Sequence, residues 1–388
     1  MRLPVHPSCA VSIAVAAIVC ATPAFAQTPS AGPRPATPAA ATSTEPVAAR
    51  LGRVQADLYG RAEHLEADVQ ELKAILGIDP NLAEAHMLLG LAYRGLGKPE
   101  LVGESKAELQ EALDLKPDLI PARFFLAEVY LGLGRYENVR DEMQTALQQA
   151  PGQPQFLAVL GEAERHLGNP TRSAELNRQA LARDPTFSRA RYYLALAQLD
   201  LGERDQAIAN LEQVTAAHVP EPDVYLSLGN AYLDASRAAD ATTALEHAVT
   251  MAPTRADAHI ALARAYRTRG LLTKATEQLT LAKPAGDAVQ PTEGYQQVEA
   301  DLNVEWGRLR LRQGQLVAAR TAFQKAIDIA PDNGAAHQGL AMIYLRQRDY
   351  AHADAEATRA AALGAPLSAA DRQTLDAGLH RPAAGSAK

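Results

Sequence analysis

Cysteine is nearly missing from this chain. Cys9 and Cys20 both fall within the first 26 residues, so the remainder has no thiol for a disulfide, a metal or a nucleophile. Aromatic residues are scarce as well, 5% of 388, with one tryptophan, which leaves Ala, Leu and Val to fill any core. There is no HExxH helix, no glycine-rich phosphate loop and no GxSxG elbow, so the signatures of zinc hydrolases, nucleotide enzymes and serine hydrolases are lacking; no catalytic residue, metal ligand or cofactor is expected. The net charge of −7 and the lack of a dense basic stripe argue against nucleic acid as a partner.

The beginning of the chain is read first. Arg2 and His6 precede a mostly apolar run from Ala10 to Ala21, and Ala24-Phe25-Ala26 supplies a small-x-small cleavage site. That order predicts a signal peptide over 1–26, cleavage after Ala26, a mature chain from Gln27 and a periplasmic or secreted location. The run is too short for a bilayer and Arg34 stands alone where a stop-transfer cluster would lie, so no integral span is expected in the mature chain; an uncleaved anchor is the alternative. A lipoprotein reading of Cys20 is disfavoured by Val19 and Ala17 at the preceding positions. Residues 27–46, rich in Ala and Pro, are expected to be a disordered linker.

Beyond the linker one pattern returns roughly every 34 residues. Its mark is Leu89-Gly90, Leu126-Ala127, Leu160-Gly161, Leu194-Ala195, Leu228-Gly229, Leu262-Ala263, Trp306-Gly307 and Leu340-Ala341. Each unit predicts a helix, a tight turn, a second helix and a proline. The turn is Gly97, Gly134, Gly168, Gly202, Gly270 or Gly314, with Ser236 and Arg348 as exceptions, and it asks for positive φ. Small residues mark the second helices: Ala112, Ala146, Ala180, Ala248, Ala282, Ala326 and Ala360, with Val214 the odd one. Pro80, Pro117, Pro151, Pro185, Pro220, Pro253, Pro331 and Pro366 close the units.

This pattern resembles the tetratricopeptide repeat, whose tyrosine position is filled by Tyr93, Tyr130, Tyr232, Tyr266 and Tyr344 and replaced by Glu164, Gln198 and Arg310. The resemblance implies an all-α fold, a right-handed superhelical solenoid of helix-turn-helix repeats with a C-terminal capping helix. It also implies a protein that binds other proteins in a groove lined by the first helices. The expected organisation is a degenerate N-terminal repeat over 47–80, eight repeats over 81–366 with an insertion about 284–297, a capping helix over 367–380 and a disordered tail over 381–388. The first full repeat is three residues longer, which predicts an extra turn in the helix from Pro99 to Leu115. Ser368 and Asp371 have capping-box spacing before the last helix.

On the groove face, Met87, Leu91, Phe124, Tyr192 and Leu196 make the first half apolar, with Glu128, Glu162 and Arg165 interspersed. Asn230, Arg264, Arg267, Arg308, Arg312 and Arg346 line the second half, with Asp223, Asp257 and Asp301 near helix starts. The expected partner contacts are Phe124, Tyr192, Asn230, Arg264, Arg267, Arg308, Arg312 and Arg346, which suit a protein partner with an acidic segment. The competing reading has Phe124 and Tyr192 packing against neighbouring repeats and the arginines pairing with Glu305 and the aspartates. The family's clamp for a terminal carboxylate does not fit, because Leu226, Ala261 and Glu305 occupy its polar or basic positions. His86, His259 and His337 recur at one repeat position, too far apart to share a metal, and are expected to pack between helices.

The function expected is a non-catalytic interaction scaffold for assembly of a cell-envelope complex. The alternatives are a polysaccharide-export or polysaccharide-binding accessory, for which Tyr192, Tyr193 and Tyr295 would be exposed stacking platforms, and a regulatory subunit of an envelope enzyme. Partner contacts are sought where the period falters: at the lost tyrosines, in the loop after Lys283 and along the arginines.

Overall fold

The computed structural model describes residues 45–60, 62–217, 221–282 and 293–380. The segment expected to be a signal peptide, nearly all of the expected linker, Pro220, most of the expected insertion about 284–297 and the expected tail from 381 lie outside the described residues, as do the side chains of 293–295. The described residues are helical, with no strand among them.

They fall into two compact units that divide between Leu201 and Gly202. The first holds α1 (Val47–Tyr59), α2 (Leu65–Ile78), α3 (Ala83–Gly95), α4 (Val102–Leu115), α5 (Ile120–Gly132), α6 (Tyr136–Gln149), α7 (Pro154–His166), α8 (Pro170–Arg183) and α9 (Ser188–Asp200). The second holds α10 (Arg204–Ala216), α11 (Pro222–Asp234), α12 (Ala238–Met251), α13 (Ala256–Thr268), α14 (Leu272–Leu281), α15 (Glu293–Arg312), α16 (Leu316–Ile329), α17 (Gly334–Gln347), α18 (Tyr350–Ala362) and α19 (Ala369–Leu379). Within each unit every helix packs on the next, and successive first helices also touch: α3 with α5, α5 with α7 and α7 with α9 in one, α11 with α13, α13 with α15 and α15 with α17 in the other. None of the described helices is long and apolar enough to cross a membrane.

The Leu-Gly row explains the pairing. The leucines are buried, and the glycines that follow them leave room for a side chain from the second helix of the same repeat. A Cβ at Gly90 would stand 2.7 Å from Leu109 Cγ, and one at Gly307 would stand 2.6 Å from Phe323 Cε1. The alanines of the second helices, and Val214, are all at most 1% exposed, as close helix approach requires. The six turn glycines have φ between 64° and 86°. Ser236 and Arg348 take the same left-handed conformation at 61° and 62°, where a side chain costs about 1 kcal/mol. Ser236→Gly is accordingly expected to raise the stability of the second unit by up to about 1 kcal/mol, read as an increased urea midpoint with unchanged slope.

The closing prolines have a second use beyond ending helices. Six residues after each of five prolines, a side chain clasps the proline carbonyl: His86 to Pro80, Arg123 to Pro117, Arg191 to Pro185, His259 to Pro253 and His337 to Pro331. Four of these reach a second helix too, His86 to Glu108, Arg123 to Glu142, His259 to Gln278 and His337 to Glu356, all within 2.7 Å. The recurring histidines therefore tie the inter-repeat turn to the helix pair. His337 is 4% exposed while Glu356 and Pro331 keep access to water, so His337→Ala removes two part-buried hydrogen bonds and is expected to cost about 1–2 kcal/mol by urea denaturation.

One expectation is corrected. The three extra residues of the first full repeat do not lengthen α4, which has the 14 residues common among second helices, but form a separate 3-10 turn at Pro99–Leu101. Pro99 at its first position fixes φ and has no N–H to give, which suits a tight turn ahead of the helix. At the other end the Ser368 hydroxyl accepts from Asp371 N–H and starts α19, which covers α17 and α18.

Candidate functional site

In each unit the candidate interface is the face built by its first helices, α3, α5, α7 and α9 in one and α11, α13, α15 and α17 in the other. In the first unit its centre is Glu128 on α5, 7% exposed, which receives Arg94 of α3 at 2.9 Å and Arg189 of α9 at 2.8 Å. Arg189 also donates to the Tyr193 hydroxyl at 2.9 Å. One repeat on, Arg165 grips Glu162 with two hydrogen bonds of 2.8 and 2.9 Å and extends to Asp200 of α9 at 3.1 Å. His166 lies 3.1 Å from Glu162 and stacks on Tyr136 with centroids 4.2 Å apart.

Burial works to push both carboxyls up, but the arginines overcome it. Arg189 and Arg94 hold Glu128 below the usual carboxylate range, and Arg165 with His166 brings Glu162 down to about 2. The arginines are correspondingly locked in the charged form: burial lowers Arg189 and Arg165, and their carboxylate partners more than restore them.

The second unit repeats the scheme with other residues. Arg255 bridges Asp223 and Asp257 at 2.5 and 2.8 Å. Glu305 on α15, 5% exposed, receives Arg308 at 2.6 Å and Arg267 of α13 at 3.1 Å, and Arg264 pairs loosely with Asp234 at 3.6 Å. Burial raises Glu305, while Arg308, Arg267 and Arg264 bring it below its ordinary value. Asp301 goes the other way: burial and the charge of Glu305 outweigh Gln297, Arg308 and Arg264 and push it up.

The eight residues expected to touch a partner therefore separate. Phe124 is corrected to a core residue: it is 6% exposed and packs on Phe125 and on Phe156 of the next repeat, because its helix position faces the neighbouring first helix. Met87 and Leu91 are likewise buried. Tyr192 is half-buried against the core and tilted over Tyr193 at 5.9 Å, and Tyr193 is itself buried, so these two form no exposed platform for sugars. Arg267 and Arg308 are held by Glu305, as the competing reading had it, whereas Arg264 pairs with Asp234, a carboxylate that reading did not name. Asn230 is half-buried, and Arg312 and Arg346 are exposed.

The lost tyrosines do not open the face either. Glu164 is buried and accepts from Asn169 at 2.8 Å, Gln198 is buried, and Arg310 lies over the Trp306 ring and donates to Gln315. Where tyrosine is kept, its hydroxyl can tie to the preceding repeat: Tyr232 to Glu212 and Tyr266 to Glu246, each at 2.6 Å. Sequence reasoning missed Arg94, Arg189 and Arg255. The available signal was opposite charge one repeat apart, Arg94 against Glu128 and Arg165 against Asp200.

Two tetratricopeptide repeat family profiles match the chain, over 123–266 and over 304–369, together more than half of it. No curated protein matches its sequence. Among solved structures it resembles the APC/C hetero-tetramer Cut9–Hcn1 at TM-score 0.63 and 14% identity, covering 86% of this chain and 63% of that one, so it spans less than two thirds of that relative. It also resembles the human IFIT1 dimer with PPP-AAAA at TM-score 0.54 and 17% identity, covering 81% and 82%. A pilus biogenesis factor, PilW, is 21% identical at TM-score 0.48 over 56% of this chain and 98% of its own. The repeated Leu-Gly packing, the left-handed turns and the two matching profiles agree, and the chain belongs to the tetratricopeptide repeat family.

Proposed function

We propose that the protein is a non-catalytic scaffold that binds a partner peptide or helix along the first-helix face, in the assembly of a cell-envelope complex. The carrying observation is that this face is fixed from repeat to repeat by ion pairs such as Arg94 with Glu128 and Arg267 with Glu305. Side chains already locked in place lose little entropy when a partner docks, which favours a recognition surface. The repeat family supports protein binding as the general role. The envelope setting rests on the signal peptide read over 1–26.

Purification from the native host after in-cell crosslinking tests both parts. The expected result is a mature N-terminus at Gln27 and a defined crosslinked protein of the envelope. A cytoplasmic chain that retains Met1 would overturn the setting, and a chain that crosslinks to no protein would overturn the scaffold.

A further inference from the structure

Along the first-helix face nearly every arginine meets a carboxylate: Arg94, Arg165, Arg189, Arg255, Arg264, Arg267 and Arg308 all do. The pattern breaks at the C-terminal ends of α15 and α17. Arg312 and Arg346 occupy equivalent positions on these adjoining helices, both are exposed, and among the described residues neither meets a carboxylate. Their proximity is fixed by a bond: Arg346 Nη1 donates to the Leu311 carbonyl at 2.8 Å, next in sequence to Arg312. That bond uses one guanidinium N–H and leaves the others available.

The surroundings are one-sided in charge. From Gly307 to Asp349 the sequence holds Arg308, Arg310, Arg312, Arg320, Lys325, Arg346 and Arg348 against Asp328, Asp332 and Asp349, and Asp349 is engaged as the cap of α18, where its side chain accepts from His352 N–H. Asp328 lies in the last turn of α16 and Asp332 just beyond it, away from the turn that joins α15 to α16. A cation at a helix C-terminus interacts favourably with the dipole by itself. Two arginines without a carboxylate partner on adjoining helices exceed that need, and a guanidinium can take a carboxylate in bidentate fashion.

We propose that Arg312 and Arg346 are the docking point for an acidic peptide segment of the partner, an inference that rests on the scaffold reading above. Adjacent helices lie about 8–10 Å apart and an extended peptide rises about 3.3 Å per residue, so the complementary segment has carboxylates two or three residues apart. The arginines deeper in the face, Arg264, Arg267 and Arg308, hold the receptor in shape and do not read the peptide.

The test uses the full mature chain and fluorescence anisotropy with a labelled, end-blocked peptide carrying glutamate at every second position, beside the same peptide with glutamine. The glutamate peptide is expected to bind at least tenfold tighter, to weaken with added salt, and to lose at least tenfold in affinity in Arg312→Gln/Arg346→Gln. Arg264→Gln is expected to change affinity less than threefold. Arg312→Gln alone, at an exposed side chain with no hydrogen bond or ion pair among the described residues, guards against a folding defect in the double variant, and circular dichroism checks both. Equal binding of the two peptides, an unaltered affinity in both variants, or equal competition by a single-stranded RNA of the same length would overturn the inference. In-cell crosslinking to a partner that survives in the double variant would also overturn it while leaving the scaffold standing; loss of all crosslinking in the unaltered protein would strike the scaffold itself.

Discussion

Phe323→Ala is expected to cost about 3–5 kcal/mol, the range for emptying a fully buried aromatic site. Phe323 on α16 is 0% exposed, and its ring fills the space that glycine leaves on two successive first helices, Gly307 on α15 and Gly339 on α17. A Cβ at either glycine would intrude on the ring, so the two helices cannot close the gap by a small shift of side chains. One residue thus carries the stacking of two repeats, and its loss is felt at both interfaces. Equilibrium urea unfolding of the full chain checks this. The α15 to α18 region should unfold at lower urea, and exchange of amide hydrogens there should accelerate before that of α3 to α8. A loss below about 1 kcal/mol would mean that the glycines, not the ring, set the helix approach.

Glu305→Ala is the second large effect, at about 3 kcal/mol. Breaking a buried pair typically costs 3–5 kcal/mol, and the low end applies because Arg267 and Arg308 keep 19% and 30% side-chain exposure and regain some water. The same carboxylates make stability depend on acid. Glu128, Glu162 and Glu305 have folded pKa values below their unfolded ones, so their contribution is complete above about pH 4.5 and is lost as pH falls, for Glu162 down to about 2. Asp301 has the opposite sign: its raised folded pKa makes the folded state gain stability as it protonates, which offsets part of the loss. The difference between the parent protein and Glu305→Ala is therefore expected to be large at pH 7 and to shrink toward pH 3. An unchanged difference across that interval would show that Glu305 acts through packing alone.

The repeat architecture was legible because packing constraints recur at fixed spacing. Leu before Gly or Ala, glycine at the left-handed turn and alanine in the second helix are each demanded by close approach, and eight copies reinforce one another. The recurrence of the histidines at one repeat position points to packing between helices, but not to their proline-carbonyl partner, since a hydrogen bond across an inter-repeat turn leaves no hydrophobic pattern. The site was less legible. Phe124 and Arg267 sit on the same kind of helix face, yet one is core and the other an ion-pair partner, because whether a side chain turns to the groove or to the adjacent helix depends on what stands beside it. Arg189 reaches Glu128 from two first helices away, and nothing in the local sequence of either residue announces that pair.

This internal pairing changes what the charged face can offer. Most of its arginines are already neutralised by carboxylates of the same fold, so they give the surface rigidity and shape, and recognition falls to the exposed side chains at its margin. Tyr192 and Asn230 are half-buried and can contribute contacts, whereas Arg312 and Arg346 have charge to spare.

Site-specific photo-crosslinking in the native host tests the central claim most directly. A crosslinking residue is placed in turn at Tyr192, Asn230 and Arg346 on first helices, and at Glu137, Thr243 and Arg359 on second helices. The account predicts that a common partner is captured from the first-helix positions and not from the second-helix positions. Capture from the second helices alone, or equally from both sets, would contradict it.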